Sequence, residues 1–561
     1  MGTTVSSMKD LDTIPKRVKY LSEAAPQKEL FVFYDEKKRS SLTALEVYQM
    51  SGRFANRLKQ EGFQRHDVVC NTLPNSPERV ITDLGIVFAG CTPINGHALL
   101  ADGSDLFHVL KVSKCRAVIV SDEANSNAHK VLQPFYKSDS HHLFNTLHHK
   151  DLPSLTSAIV VSRETKGSRS PLMDLLRSSK LETLTDSVVP ADLAFVFATS
   201  GSTGYSKLVP RSHEELLRTT DGLVARFSAG RSVTSPGENK VKIFNDRLLG
   251  WMGGFPAEVY CNGDTRVLMD VYRRPCSLEA KWDAAVTEKC GSFSLSPREV
   301  DAVLRHAEKQ GTLAQEMAIS TGGQPLTQQQ ITKMLKLSKR IIIGYGSTES
   351  GAISSAVVVD NNYTNFSCGK LSPDITLKIT NSAGETCGPN EYGTIYVKGN
   401  FVLKKYFNRL DEPDQQTTKA FTSDGWFNTE DCGCLDGDGN IYVVGRNSDT
   451  ITHGLFAVYP GWIEKKILEH PQVEDVCVVP VSDPEIHQKI CACLKLFPGS
   501  GVTEKEMREH FNKKIFANVE QGLTPMPEYI MLFHDDFPLT PTGKAHREEI
   551  KRLAEKKFGR K

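Results

Sequence analysis

The sequence predicts an α/β protein: a large N-terminal region of stacked α/β subdomains, residues 1–446, and a small mobile C-terminal α/β domain, residues 447–561. Three observations predict it. At 561 residues the chain is too long for one hydrophobic core. Short apolar runs of strand length alternate with helical stretches, the order that layered parallel sheets produce. Near Arg446 the character of the chain changes, and the block after it has strand and helix signals of its own.

Each element has a local reason. Val68–Leu73 and Ala117–Ser121 read as short buried strands, Glu78–Phe88 between them as a helix, and Gly90–Gly96, with its glycines and proline, as a turn. Leu193–Ala198 is an apolar run of strand length, and the polar stretch Ser162–Ser170 reads as a surface excursion. Asp436-Gly437-Asp438-Gly439 predicts a hairpin turn before a strand over Asn440–Val444. A calcium loop is rejected there, because Ile441 stands where the loop needs glycine and Asn447 where it needs glutamate.

Composition excludes several classes. The 68 basic and 67 acidic side chains leave a net charge of +1, so no broad nucleic-acid surface is expected. No run of about 18 apolar residues exists, so no membrane span is expected. The 13 cysteines include no CxxC pair. Cys432-Gly433-Cys434 and Cys491-Ala492-Cys493 have the wrong spacing for a zinc knuckle, and reduced thiols in the cytoplasm or a similar compartment are expected. His141, His142, His148 and His149 read as a solvated surface cluster. The first ten residues lack a secretory apolar core, though Gly2 and Ser6 fit the short N-myristoylation pattern, which often arises by chance. The closing Gly559-Arg560-Lys561 is not a peroxisomal address, and no fused carrier domain is expected after Lys544.

The strongest chemical signal follows Leu193–Ala198. Thr199, Ser200, Gly201, Ser202, Thr203, Gly204, Tyr205, Ser206 and Lys207 form a loop of small residues. Such a loop turns backbone N–H groups toward an anion; three hydroxyls add donors and Lys207 adds charge. Ser212 and Glu215 then read as a capping box that starts a helix. Strand, loop and helix together predict a phosphate site, although Lys207 lies too far from Gly204 for a Walker A loop.

Further motifs follow in order: STGGQPL at Ser320–Leu326, GYGSTE at Gly344–Glu349, DGWFNTEDCG at Asp424–Gly433, Gly445-Arg446, and PLTPTGKAHR at Pro538–Arg547. With Thr199–His213 they make the chain, from about Ser41 to Arg547, resemble the adenylate-forming superfamily of acyl-CoA synthetases, peptide-synthetase adenylation domains and luciferases, closest to the synthetases. The resemblance implies a two-step reaction. A carboxylate attacks the α-phosphorus of ATP to give an acyl-adenylate and pyrophosphate, and a thiol then displaces AMP. It implies ATP, Mg²⁺ and CoA, with a small carboxylic acid as substrate and CoA or a pantetheine carrier protein as acceptor.

It also implies roles. Gly323, Gln324 and Pro325 form a wall beside adenine; Tyr345, followed by Gly346, lies against the base. Thr348 bonds the α-phosphate, Glu349 holds Mg²⁺, and Asp431 and Arg446 reach the ribose. Lys544 is the catalytic lysine, bridging carboxylate and phosphate in the transition state. Trp251, Met252, Gly253, Gly254 and Gly322 are acyl-pocket candidates, with plain core packing an open alternative for the first four. Asp246 is in the wrong register to bind an amino group.

Departures from the family pattern are specific. Ser206 and Leu208 replace the usual proline and glycine beside Lys207, and Glu430 replaces the glycine before Asp431. At the hinge, Ser448 replaces Asp or Lys, Thr452 replaces a lysine, and Gly454 and Leu455 look shifted. FNDRLLGW, Phe244–Trp251, lacks the histidines many synthetases carry. The thiol-transfer step is therefore weighed against transfer to a carrier protein or amine, and against a non-catalytic nucleotide-binding protein.

Overall fold

The computed structural model describes residues 8–35, 38–96, 102–124, 126–137, 143–163, 170–182, 187–199, 205–218, 241–272, 275–410, 415–453, 456–512, 526–540 and 544–559. Three sheets organise them: one of seven strands, one of thirteen and one of five. The seven-stranded sheet carries Val68–Asn71, Thr92–Asn95, Ala117–Ser121, Leu193–Ala198 and Leu208–Ser212. The five-stranded sheet draws only on strands between Ile451 and Phe533. The fold is the expected one, a large N-terminal α/β part and a small C-terminal α/β part.

The large part is layered because two helices are buried between its sheets. Ala44–Gln60 starts at a Thr43–Glu46 capping box, and Pro77–Phe88 starts at the Ser76 cap with proline in its first turn. Every residue from Glu78 to Phe88 is buried. That all-round burial suits a helix with a sheet on each side. One core joins Phe31, Phe33 and Leu268 of the larger sheet to Val69, Ile119 and Phe195 of the smaller one through Phe54, Ile81 and Leu84. The small part has separate cores, one around Ile451, Ile490 and Phe511 and one around Cys477, Met531 and Ile550.

Much of the sequence reading stands in place. Ala117–Ser121 and Leu193–Ala198 are strands with the expected ends. Asp436–Gly439 joins Phe427–Leu435 to Asn440–Arg446 as a hairpin, with the Asp436 carboxylate accepting from the N–H groups of Asp438 and Asn440. Ser212 and Glu215 exchange the two capping-box hydrogen bonds at 3.1 and 3.2 Å. All thirteen cysteines are free. No helix among the described residues is long and apolar enough to cross a membrane.

Two readings are corrected. Gly90–Gly96 contains a buried parallel strand, Thr92–Asn95, between Val68–Asn71 and Leu193–Ala198. Pro93 suggested a turn, but toward Leu193–Ala198 only Ile94 is paired, so the missing proline N–H is tolerated. Within Ser162–Ser170, Arg163 is buried and paired with Glu78 at 2.5 Å and Asp270 at 2.8 Å, not on the surface. Between Lys207 and the Ser212–Glu215 capping box the chain adds strand Leu208–Ser212, antiparallel to Leu193–Ala198. Residues 164–169, His141, His142 and Gly2 lie outside the described residues. His149 packs its ring against Phe135, 4.3 Å between centroids.

Candidate active site

The site grows along one end of six neighbouring strands of the large sheet, Ala318–Gly322, Ile341–Ser347, Gly351–Val358, Ser367–Leu371, Asn440–Arg446 and Phe427–Leu435, side by side in that order. Gly322 pairs with Gly344, and a Cβ on Gly322 would stand 2.2 Å from the Gly344 carbonyl oxygen. Only glycine permits that approach. Gly323 follows with φ +82° and is exposed, with Gln324 and Pro325 partly buried behind it. Gly346 is equally constrained, since its Cβ would stand 2.0 Å from the Gly351 carbonyl.

Tyr345, Asp431 and Arg446 meet here. The Tyr345 hydroxyl donates to Asp431 Oδ2 at 2.7 Å, and Arg446 Nε lies 3.0 Å from Asp431 Oδ1. Asp431 and Arg446 face each other across the antiparallel ladder. Burial raises the Asp431 pKa, against the pull of Arg446 and the Tyr345 hydroxyl. Burial, and then the Asp431 charge, raises the Tyr345 phenol. Glu430, before Asp431, takes φ +60°, the left-handed region that favours glycine. The family glycine at this position thus has a backbone reason, and Glu430 meets it at a cost.

Thr348 and Glu349 form the hairpin turn between Ile341–Ser347 and Gly351–Val358. Arg211 fixes that turn. Its guanidinium donates to the carbonyls of Thr348 at 2.6 Å, Glu349 at 2.8 Å and Phe401 at 2.7 Å, and lies 3.9 Å from the Phe401 ring centroid. Burial lowers the Arg211 pKa to about 10. Arg211 belongs to strand Leu208–Ser212, which follows Lys207, so one buried side chain ties that strand to the turn. The loop neck is closed by the Thr199 N–H donating to the Lys207 carbonyl at 2.9 Å. Ser200, Gly201, Ser202, Thr203 and Gly204 lie outside the described residues. Tyr406 bridges the two elements: its hydroxyl donates to Glu349 Oε1 at 3.1 Å, and Lys207 Nζ is 5.4 Å from its ring centroid.

Lys544 comes from the small part. Its Cε and Nζ lie 3.8 Å from the position a Gly323 Cβ would take, so it stands beside the adenine-wall candidates. Its backbone is held by reciprocal bonds with Thr540 at 2.7 and 3.1 Å. The side chain is exposed toward solvent and flanked by protein on its inner side. That partial burial, then repulsion from Arg446 and Arg247, lowers its pKa, while Asp431 opposes the shift.

Met252–Gly254 is a short 3-10 turn after Trp251. Gly254 cannot carry a side chain, because its Cβ would stand 1.8 Å from the Leu248 carbonyl oxygen. Arg266 donates to the Gly254 carbonyl at 3.1 Å. Trp251 and Met252 are half-buried, and Met252 packs on the main core, so its packing role is real. Asp246 pairs with Lys281 at 2.9 Å and accepts from the Met269 N–H, which makes it a structural acid. At the hinge, Ser448 is exposed, Asp449 is paired with Arg547 at 3.3 Å, and the Thr452 N–H donates to Gln488; Gly454 and Leu455 lie outside the described residues.

Sequence reasoning missed Tyr406 and the work of Arg211. Tyr406 had no local signal. Arg211 was visible in KLVPR, but three carbonyl partners from distant segments are not.

Glycine-lined strand ends, a turn held by one arginine and a lysine from the small part come together here. Residues 21–407 match the AMP-binding enzyme family and residues 462–544 its C-terminal domain; the chain belongs to the AMP-binding enzyme family. It is 29% identical over 380 residues to 4-coumarate–CoA ligase-like 4 of Oryza sativa subsp. japonica, a match spanning 66% of this chain and 65% of that protein. It is 26% identical over 548 residues to 4-coumarate–CoA ligase-like 2 of Arabidopsis thaliana, covering 95% and 90%. Its fold matches the anthranilate CoA ligase AuaEII in complex with anthranoyl-AMP with TM-score 0.78 at 19% identity, covering 98% of this chain and 99% of that one.

Proposed function

We propose that this protein is an AMP-forming acid–thiol ligase that joins a fatty or aryl acid to CoA through an acyl-adenylate. The observation that carries the reading is Lys544 standing beside Gly323, at the strand ends that also hold the Tyr345–Asp431–Arg446 cluster. The family membership and the names of the CoA-ligase relatives support CoA as acceptor rather than a carrier protein.

In this reading Asp431 accepts the ribose hydroxyls while Arg446 and Tyr345 hold its carboxylate in place. Thr199–Lys207 receives the β- and γ-phosphates. Thr348 donates to the α-phosphate. Lys544 approaches the oxygen on which charge develops as the carboxylate attacks; burial and the nearby Arg446 and Arg247, which lower its pKa, favour an anion beside it. Glu349 suits Mg²⁺. Its Oε1 is fixed by Tyr406 and its oxygens are hard donors, so Glu349 would hold the ion. When bound, the ion neutralises phosphate charge.

We divide the chain after Arg446 and assign the hinge to the segment that follows, which carries Ser448 and Thr452. Serine at 448 permits rotation that would carry Lys544 out for thiol transfer. The reading places the protein in a reducing compartment such as the cytoplasm, in keeping with its free thiols.

The test is turnover of a panel of fatty and aryl acids with ATP, with and without CoA, followed by pyrophosphate, AMP and acyl-CoA. AMP and pyrophosphate with acyl-CoA are expected. ADP release overturns the reading, and adenylation without acyl-CoA overturns the acceptor.

A further inference from the structure

We propose that Arg247 is a specificity residue of the acyl cleft that receives a second carboxylate, so that the acids this enzyme prefers are dicarboxylic. The proposal rests on the ligase reading above and deepens it.

Arg247 sits in a fixed stretch of backbone. Its N–H donates to Asn245 Oδ1 at 3.1 Å, and its carbonyl accepts from Asn75 Nδ2 at 3.2 Å. Asn75 Oδ1 also accepts from the Leu249 N–H at 2.9 Å, and Asn245 Nδ2 donates to the Gly253 carbonyl at 3.0 Å. The segment therefore presents its side chain from a defined place. The Arg247 side chain lies over Gly253: a Cβ there would be 3.2 Å from Nη1 and 3.4 Å from Cδ. Gly253 leaves room for the guanidinium beside the Trp251–Gly254 acyl-pocket candidates.

Four other cations of this region have partners. Arg446 has Asp431, Arg211 has three carbonyls, and Arg266 has Glu258 at 2.6 Å. Lys281 has Asp246. The Arg247 side chain makes no hydrogen bond or ion pair among the described residues; it keeps an exposed surface, while the protein packed around it lowers its pKa. Glu299 attracts it from a distance, but that carboxylate accepts from the Ser296 N–H at 2.9 Å. Arg247 also repels Lys544. In the proposed reaction Lys544 meets the reacting carboxylate and the α-phosphate. Arg247 then remains a cation without an anion, on the acyl side.

An apolar acyl chain covering Arg247 would strip its water and return nothing. A distal carboxylate would meet two parallel N–H donors in the geometry that guanidinium favours. The arginine thus acts in two ways, attracting the diacid and penalising the monoacid of equal length.

The experiment compares kcat/KM for matched pairs from propanoate and propanedioate to octanoate and octanedioate, in wild type, Arg247→Met and Arg247→Lys. In wild type at least one diacid exceeds its monoacid by about 10- to 100-fold, the factor one charge-assisted hydrogen bond to a desolvated carboxylate carries. Arg247→Met brings that ratio to about one, and Arg247→Lys keeps part of it. Because Arg247 is exposed, unchanged thermal unfolding of both variants is expected. Turnover of monoacids only, a ratio unmoved by Arg247→Met, or an equal loss on both acids overturns the proposal, the last because Arg247 would then act on the shared carboxylate or phosphate. No pyrophosphate from any acid overturns the ligase reading and this one with it.

Discussion

Tyr406→Phe removes one oxygen from the site and leaves nearly everything else in place. Tyr406 is 3% exposed, so its ring stays packed in the cluster with Val397 and Phe427. The ring face that Lys207 approaches is also kept. What is lost is the 3.1 Å hydrogen bond to Glu349 Oε1. A hydrogen bond to a charged group contributes about 1.5–3 kcal/mol. Glu349 is only half-buried, which brings the expected loss to about 1–2 kcal/mol, or roughly 5- to 30-fold. The loss falls on the orientation of the carboxylate assigned to Mg²⁺, so it is read in a metal titration. Carboxylate-dependent pyrophosphate exchange is measured against Mg²⁺ at saturating ATP. The half-saturating Mg²⁺ concentration rises by that factor, and the rate at saturating Mg²⁺ recovers most of its value. An unshifted titration refutes the argument, as does a rate loss that no Mg²⁺ concentration restores.

Lys544→Ala abolishes adenylation while ATP binding, followed by equilibrium titration, is spared; carboxylate-dependent exchange at the wild-type rate removes Lys544 from the mechanism. Gly322→Ala forces a Cβ to within 2.2 Å of the Gly344 carbonyl, so the strand pair must part, and both the melting temperature and ATP affinity fall. Wild-type values for both would show that the strand pair yields. His213 is 1% exposed, its Nδ1 accepts from the Ile14 N–H, and burial lowers its pKa from 6.5 to about 4. Between these values the unfolded chain binds the extra proton, so stability present above pH 6.5 is lost as pH falls toward 4, by about 3 kcal/mol for this group. Chemical denaturation across that window in wild type and His213→Asn isolates the contribution; identical slopes would remove it.

The parts of the site that the sequence made legible are those whose chemistry is local. Strand Leu193–Ala198 and the Ser212–Glu215 capping box stand where their own residues put them, while the anion role of Thr199–Lys207 between them is a proposal. Asp431 and Arg446 were legible only as members of motifs. Their meeting depends on the register of a hairpin with a bulge between Cys432 and Gly433, and alternation alone would put the facing partner one residue out. Thr92–Asn95 was misread for the opposite reason: Pro93 is a strong local signal that tertiary pairing overrides.

Side chains that work between segments leave the weakest trace. Arg211 is one residue in a strand, yet it joins that strand to the Thr348–Glu349 turn through carbonyl oxygens, which carry no sequence identity. Its cost is visible in the structure, because a cation is buried without a carboxylate in contact and its pKa drops to about 10. Its three carbonyl bonds offset that cost and fix the backbone they reach. Here the fixed object is the turn that presents Glu349, and Tyr406 fixes the same carboxylate from the other side. Two supports from separate segments converge on one acid. The geometry of that acid is therefore the constraint to which this edge of the fold is built, and the motif GYGSTE is only its visible end.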